Sequence, residues 1–252
     1  MRTAVAAMLL LAACEQSGPE KLESKLAVHC LLLAHSGWAR ANVNRTYSID
    51  ETMDTLFAGA SVLLARGEDT WQFEHVHRDL YQVELRQLIR PGDTFYLQVA
   101  KDGFDTVFGH TVIPDTFRIL YPASGDTVSL VDSLGWTRSR NCAGYDIALE
   151  AIYPNDTFYY DLPVPNDSFG LAWDSLVVRI PSMFFLYGFD EGPFRLPVMA
   201  LDTNYFAWIS SGGFGMGGGV AESTGLVGGA GVFGSACERA VEFYLQPDTT
   251  RR

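Results

Sequence analysis

Basic side chains are scarce in this sequence. Its 252 residues carry 18 lysines and arginines against 30 aspartates and glutamates, which gives a formal net charge of −12. Proteins that bind nucleic acids neutralise the phosphates with clustered lysine and arginine side chains. No such cluster occurs along the chain, so the composition excludes nucleic acid from the expected partners.

The motifs of nucleotide-binding enzymes are also missing. The pattern G-x-G-x-x-G occurs at Gly213 and at Gly229. A dinucleotide site, however, needs a preceding strand and a helix that opens on the last glycine. The first copy is followed by a short stretch broken at Gly225, and too little chain follows the second. We therefore expect no nucleotide and no other cofactor. We interpret residues 210–234 as a glycine-rich loop that leads into a glycine-kinked final strand.

Cysteine is rare as well, with four in the chain. Cys30 lies within the apolar run LAVHCLLLA and is predicted to be a buried core thiol. Cys142 and Cys237 lie in polar or glycine-rich surroundings. In an oxidising compartment we expect these two to form a disulfide, although spacing alone does not determine which cysteines pair.

The first residues indicate export and lipidation. An apolar stretch from Ala4 to Leu11 is too short to span a bilayer, and the sequence LAAC that ends it resembles a bacterial lipobox. We expect cleavage before Cys14 and a lipid on that cysteine, so that residues 1–13 are the signal peptide and residues 14–24 a polar tether. This predicts a protein anchored by its lipid to the outer membrane of the cell envelope, on the periplasmic side or at the surface.

The rest of the chain has the rhythm of a β protein. Short runs rich in Val, Tyr, Phe, Leu and Thr alternate with turn signals, among which Asp-Thr recurs, and no stretch shows a long helical period. The pattern therefore predicts an all-β fold. The predicted strands include Lys25–Ala34, Ala60–Ala65, Trp71–Val76, Leu80–Leu85, Thr94–Ala100, Thr106–Val112, Ser175–Ile180, Phe194–Leu201, Tyr205–Ile209 and Ala240–Leu245.

Two sandwich modules in tandem are predicted, residues 25–114 and residues 115–252. Pro91 and Gly92 are suited to a type II turn, after which Tyr96 is expected to hydrogen-bond across the corner as sandwich tyrosines do. Trp136 is the predicted central aromatic of the second core. These features resemble immunoglobulin-like and fibronectin-type-III-like sandwiches.

Together, several segments resemble one family. They are the lipobox, the first strand at Lys25–Leu33, the segments 59–62 and 91–97, Tyr81, and the terminal stretch 229–234. They are similar to the lipoproteins catalogued as domain of unknown function 4249. The resemblance implies an Ig-like sandwich lipoprotein of the envelope, associated with outer-membrane receptors for nutrient uptake, and it implies no catalytic residues.

A metal site is not expected from the histidines. His75 and His77 flank Val76 and would face the same side of a regular strand, where Glu74 or His110 could complete a zinc or copper site. Two imidazoles alone make a weak site, and solvent-facing strand histidines are the expectation. No metal ligand is assigned.

The alternative to a binding protein is an enzyme. No G-x-S-x-G elbow is present, and no catalytic residue is assigned. Acidic residues in the loops of the second module could serve a carbohydrate-active or metal-dependent hydrolase: Asp156, Asp161, Asp167, Asp174, Asp190 and Glu191. Calcium could be held by the oxygen-rich pairs Asn155-Asp156, Asn166-Asp167 and Asp190-Glu191. An aromatic cluster between Phe158 and Phe189 would stack on sugars or anchor a partner if exposed, and would pack between sheets otherwise. The sequence favours a non-catalytic binding or accessory module, partnered by a receptor protein or a glycan.

Overall fold

The computed structural model describes residues 23–48, 51–52, 56–129, 132–148, 150–152, 161–165, 175–179, 191–212 and 224–246. Within these ranges the chain is almost entirely β. The elements of the first part are β1 (Leu26–Leu33), β2 (Trp38–Arg45), β3 (Ser61–Arg66), β4 (Asp69–Gln72), β5 (Glu74–His77), β6 (Leu80–Glu84), β7 (Thr94–Ala100) and β8 (Val107–Val112). Those of the second part are β9 (Ile119–Tyr121), β10 (Thr127–Ser129), β11 (Ser133–Thr137), β12 (Gly144–Ala148), β13 (Glu150–Ala151), β14 (Asp161–Pro165), β15 (Ser175–Arg179), β16 (Gly192–Leu201), helix α1 (Thr203–Ser210), β17 (Leu226–Val227) and β18 (Ala230–Gln246).

The first sandwich packs a five-stranded sheet, in the order β17-β8-β7-β3-β4, against one end of a ten-stranded sheet. That end consists of β1, β2, β6 and β5. The strands alternate between buried and partly exposed residues, as in β1, where Leu26, Val28, Cys30 and Leu32 all point into the core. The prediction that Cys30 is a buried core thiol is confirmed.

The second sandwich packs a three-stranded sheet, β15-β11-β9, against the other end of the large sheet. Trp136 is fully buried at its centre, with the Tyr145 ring in edge contact, 5.4 Å between centroids and 63° between planes. Phe194 and Phe243 stack across neighbouring strands of the same core. The predictions of an all-β fold made of two sandwiches, and of Trp136 as a core residue, are confirmed.

The last strand, β18, joins the two sandwiches. Its first half runs parallel to β1, from the pair Ala27–Ala230 to the pair Leu33–Ala236, and its second half, from Ala236 to Leu245, runs antiparallel to β16. Residues 224–236 therefore complete the first sandwich, although the sequence analysis placed them in the second module. Gly231 has φ +99 and lies against the Val28 carbonyl, so only glycine fits where this strand approaches β1.

The segment Tyr205–Ile209 was predicted to be a strand, and that prediction is wrong because the segment lies in helix α1. Asp202 has extended backbone angles and its side chain accepts a hydrogen bond from the Tyr205 amide, which is the geometry of a helix N-cap. Tyr205 and Trp208, three positions apart, are the buried residues of the helix, and they pack on the outer side of the large sheet.

The prediction of one strand at Trp71–Val76 is also wrong. The segment is not one strand, because β4 belongs to the five-stranded sheet and β5 to the ten-stranded sheet. Phe73 lies between the two and is buried, and its amide donates to the Val62 carbonyl. The chain thus changes sheets at a buried aromatic residue, which anchors the crossing in the core.

The prediction that Tyr96 hydrogen-bonds across the sandwich corner is wrong as well. Gly92 has the positive φ (+83) expected of the Pro91–Gly92 turn, but Tyr96 points to solvent. Tyr81 makes the expected hydrogen bonds instead: its hydroxyl donates to the Phe57 carbonyl and accepts from the Ala60 amide, both at 3.1 Å. Tyr81 is thus the tyrosine that ties a loop to the sandwich core.

Candidate functional site

A cavity of about 330 Å³ lies where the two sandwiches meet. This volume is at the lower end of the range of small-molecule sites. The first sandwich contributes β8, and the second contributes the turn before β12 and the start of α1. The residues that line it are His110, Thr111, Val112, Asn141, Cys142, Asp202, Thr203 and Asn204.

Asp202 is the most buried acidic group at this cavity, and it is fully engaged in hydrogen bonds. Thr111 donates to its Oδ2 at 2.6 Å, and the Tyr205 amide donates to its Oδ1 at 2.9 Å. Ser235 Oγ lies 2.7 Å from Thr111 Oγ1, which joins β8, α1 and β18 in one network. Burial raises the pKa of Asp202, and the hydrogen bond from Thr111 opposes that rise.

Asn204 fastens the helix to the sheets. Its Nδ2 donates to the carbonyls of His110, at 2.8 Å, and Phe233, at 2.9 Å. Glycine is needed where the helix meets these strands, because a Cβ on Gly234 would lie 2.6 Å from Tyr205 Cβ. A Cβ on Gly144 would clash with the Phe206 ring. The helix start is therefore held rigidly between the two sandwiches.

Cys142 at the cavity wall is not set up as a nucleophile. Its thiol donates to the Gly144 carbonyl at 2.9 Å, and burial raises its pKa to about 11. Reactive cysteines have lowered pKa values, because the thiolate is the attacking species. Asp202 is committed to the helix cap. The cavity is thus a polar recess suited to binding.

The structure describes three of the four cysteines. Cys14, the predicted lipidation site, lies outside the described residues. Cys142 and Cys237 are not joined by a disulfide, which corrects the expected pairing between them. In the sheet β16 lies between β18, which carries Cys237, and β12, which Cys142 precedes. Two strand spacings amount to about 10 Å, and a disulfide requires Cα atoms within about 7 Å.

The histidines do not form a metal site. His75 and His77 are exposed on β5, where a register shift separates them, and His75 Nε2 lies 2.9 Å from the Arg78 carbonyl oxygen. His110 lies on the other sheet and stacks on Tyr96. Within the described part of the chain, no group of three or more His, Cys, Asp or Glu residues could hold a metal ion.

Most of the acidic loop residues that the sequence analysis named lie outside the described part of the chain. Asp156, Asp167, Asp174 and Asp190 lie outside the described residues, as does the aromatic cluster 158–189. Asp161 is the first residue of β14, and only its backbone is described. Glu191 accepts a hydrogen bond from the Tyr244 hydroxyl at 3.1 Å.

Two described carboxylates of the second sandwich do lie near each other. Arg195 bridges them, with contacts of 2.8 Å to Glu150 and 2.6 Å to Glu238. Both neighbours raise the pKa of Arg195, Glu150 through the strongest contribution. This pair is an ion-pair cluster on the strand surface, because each carboxylate is bound to the same guanidinium.

The outer face of the five-stranded sheet was not anticipated from the sequence. Alternate residues of its strands point into the core, and the residues between them point to solvent. The outward residues of these described strands include no Asp, Glu, Lys or Arg. They are Ser61, Leu63, Ala65, Thr70, Gln72, Thr94, Tyr96, Gln98, Ala100, Phe108, His110, Val112 and Val227. We call this surface the neutral face.

Aromatic and apolar side chains are prominent on the neutral face. Tyr96 is 56% exposed, Phe108 50% and Val227 73%. Phe108 lies between Gln98 and Val227 in the strand register, and the Tyr96 ring stacks on His110 with 6.2 Å between centroids and 27° between planes. His110 also lines the cavity. The sequence did not predict the neutral face, because this face is assembled from strands that are distant from one another along the chain.

No helix among the described residues is long and apolar enough to cross a membrane. No family model matches the sequence. No curated protein matches it either.

Several solved structures resemble the chain at low identity. The fibronectin(III)-like modules of CbhA from Clostridium thermocellum are 9% identical, with 89% of this chain and 97% of that chain covered and a TM-score of 0.26. The IG1+IG2 part of DIP-gamma is 8% identical, with 89% and 98% covered and a TM-score of 0.22. Three N-terminal domains of the bacteriophage RB49 outer capsid protein Hoc are 10% identical, with 89% and 71% covered and a TM-score of 0.25. At such TM-scores these likenesses add nothing to the sheet arrangement described above.

Proposed function

We propose that the chain is a lipid-anchored protein of the cell envelope that acts as a non-catalytic binding or accessory module, partnered with an outer-membrane receptor for nutrient uptake. The observation that carries the binding role is the neutral face. In a chain with a formal net charge of −12, a whole sheet face without charged side chains exposes two aromatic rings to solvent. An uncharged surface with exposed aromatic rings is suited to the recognition of a partner.

Two further observations support the proposal. The lipobox and the polar residues after Cys14 support anchoring at a membrane surface. At the cavity, the side chains of Asp202 and Asn204 form hydrogen bonds that hold the two sandwiches together. A rigid junction suits a module that presents a fixed surface to a partner.

Anchoring is tested by fractionating cells that express the full chain. With Cys14 intact the protein should sediment with membranes, and the Cys14→Ser variant should appear in the soluble fraction, because no lipid can be attached. Ser17→Ala, in the same tether, is the matched control and should stay with membranes. Membrane association that survives Cys14→Ser would refute the lipid anchor.

The accessory role is tested by purifying the tagged chain from native envelopes in mild detergent. We expect an outer-membrane receptor to co-purify in fixed ratio and to remain bound through gel filtration. Recovery of the chain alone, from envelopes that contain it at native levels, would contradict the receptor partnership.

A further inference from the structure

We propose that the neutral face binds a neutral polysaccharide, whose sugar rings stack on Tyr96 and Phe108. This inference rests on the proposed binding role and specifies its ligand. It starts from charge. The partner of a surface is expected to match its electrostatic character, and this face offers no cation for an anionic glycan, a phosphate or an acidic protein. A neutral ligand is the class that fits.

The contrast with the other large sheet shows that neutrality is local to this face. The outward side of the ten-stranded sheet carries Arg40 on β2, which donates to Gln82, and Glu84 on β6. Further along, the same sheet carries the Arg195 ion-pair cluster. Charged residues thus cover one outer surface in the usual way, and they are left out of the other.

The ring geometry suits sugars. Tyr96 and Phe108 lie diagonally across β7 and β8, because Tyr96 pairs with His110 and Phe108 with Gln98. Such diagonal neighbours are about 7–8 Å apart, which places two exposed aromatic rings next to each other on the sheet. The negative face of an aromatic ring attracts the weakly positive C–H groups that cover one side of a pyranose.

Polar partners for the sugar hydroxyls flank the rings. Gln98 lies beside Phe108, and on β4 Gln72 is level with Phe108 and Thr70 is level with Tyr96. The glutamine amide and the threonine hydroxyl can each donate and accept hydrogen bonds. These side chains can therefore pair with sugar hydroxyls that act as donors or as acceptors. Few, well-placed polar groups among apolar ones are typical of small-ligand surfaces.

The neutral face also borders the cavity between the sandwiches. His110 belongs to both the neutral face and the cavity of about 330 Å³ between the sandwiches. Asn141 and Thr203 also line that cavity. The cavity therefore adjoins the neutral face at His110, the residue on which Tyr96 stacks.

The experiment is affinity electrophoresis of the full chain in native gels. The gels contain one soluble polysaccharide each: neutral β-glucan, α-glucan, xylan or mannan, and as anionic comparisons alginate and polygalacturonate. We expect at least one neutral polymer to retard the protein and the anionic ones to leave it unaffected. Tyr96→Ala and Phe108→Ala should each weaken the retardation constant about tenfold, the effect of roughly one lost stacking contact.

Trp38→Ala is the matched control, since Trp38 is an aromatic residue exposed to a similar degree (46%) on the other large sheet. It should leave retardation unchanged, and all three variants should keep the thermal unfolding midpoint of the parent chain. Equal losses for Trp38→Ala, or no retardation by any neutral polymer, would overturn the proposal. So would a concentration-dependent dimer in sedimentation that Tyr96→Ala abolishes, because the face would then bind a second copy. A receptor that still co-purifies with Tyr96→Ala would leave the accessory role standing.

Discussion

Thr111 on β8 donates a 2.6 Å hydrogen bond to the buried carboxylate of Asp202, and this contact joins the two sandwiches. The two residues are 91 positions apart in the chain. Asp202 also caps helix α1, so one side chain both starts the helix and ties it to the first sandwich. Burial of that carboxylate has a consequence for the pH dependence of stability.

The substitution Asp202→Asn should reveal this consequence. Because burial raises the pKa of Asp202 above its value in the unfolded chain, the folded state binds the proton more tightly. The contribution of this group to stability is therefore greatest at acidic pH and is lost as the pH rises through the folded-state pKa. An asparagine keeps the cap but carries no charge. The difference in unfolding free energy, variant minus parent, should thus increase with pH.

Urea denaturation at a series of pH values from about 4 to 7 measures that difference. Asp102→Asn is the control, because it makes the same substitution at an aspartate that is exposed in a turn. A difference for Asp202→Asn that does not vary with pH would show that its carboxyl titrates alike in the folded and unfolded states.

Gly234→Ala should destabilise the junction by about 1–3 kcal/mol, the usual cost of overpacking. The added Cβ would lie 2.6 Å from Tyr205 Cβ and 2.9 Å from Asp202 Oδ1, and neither can move without disturbing the helix cap. Chemical denaturation gives the magnitude.

Gly37→Ala is the matched control for that substitution. A Cβ on Gly37 would lie 3.6 Å from the Leu88 side chain, which is ordinary contact, so its effect should stay within about 0.5 kcal/mol. Equal stabilities of Gly234→Ala and the parent protein would mean that the helix does not pack on β18 as described.

The three cysteines beyond Cys14 should behave as protected thiols. Burial raises the pKa of Cys142 to about 11 and that of Cys30 to about 12, each from an ordinary value of 9.0. Two units leave about a hundredfold less thiolate, so alkylation of native Cys142 at pH 8 should be slower by at least that factor than in denaturant.

Mass spectrometry after alkylation in denaturant counts the thiols. Cys30, Cys142 and Cys237 should each carry a label, and Cys142→Ser should carry one fewer. If the parent protein lacks two labels until it is reduced, a disulfide is present and the arrangement of β12, β16 and β18 needs revision.

Local patterns predicted the strands well where strand and core coincide. β7 has the predicted bounds Thr94–Ala100, and its alternation of Phe95, Leu97 and Val99 with polar residues shows its buried side directly. The strand β2 was missed because its buried residues are small: Ala39, Ala41 and Val43 alternate with Arg and Asn. Helix α1 was misassigned since its aromatic residues favour a strand, and tertiary packing outweighs so weak a propensity.

The candidate site was harder to predict than the fold. Thr111, Asp202 and Ser235 are far apart in sequence, and no motif announces that they share one network. Tyr96 was assigned to a corner because of its position after a turn, while the corner bond belongs to Tyr81. Each assignment depends on which strand lies opposite, and that is a long-range property.

By itself, the sequence determined that this is an acidic, mostly β chain with paired sandwich cores, since strand period, turn residues and composition are local quantities. It also predicted an N-terminal lipid anchor at Cys14. Only the tertiary structure decided that β18 completes both sandwiches, that Cys142 and Cys237 are kept apart, and that the outward residues of five strands form one uncharged surface. The physical reason is that the alternation within a strand marks its buried side locally, whereas contacts between distant parts of the chain determine which strands lie beside it in the sheet.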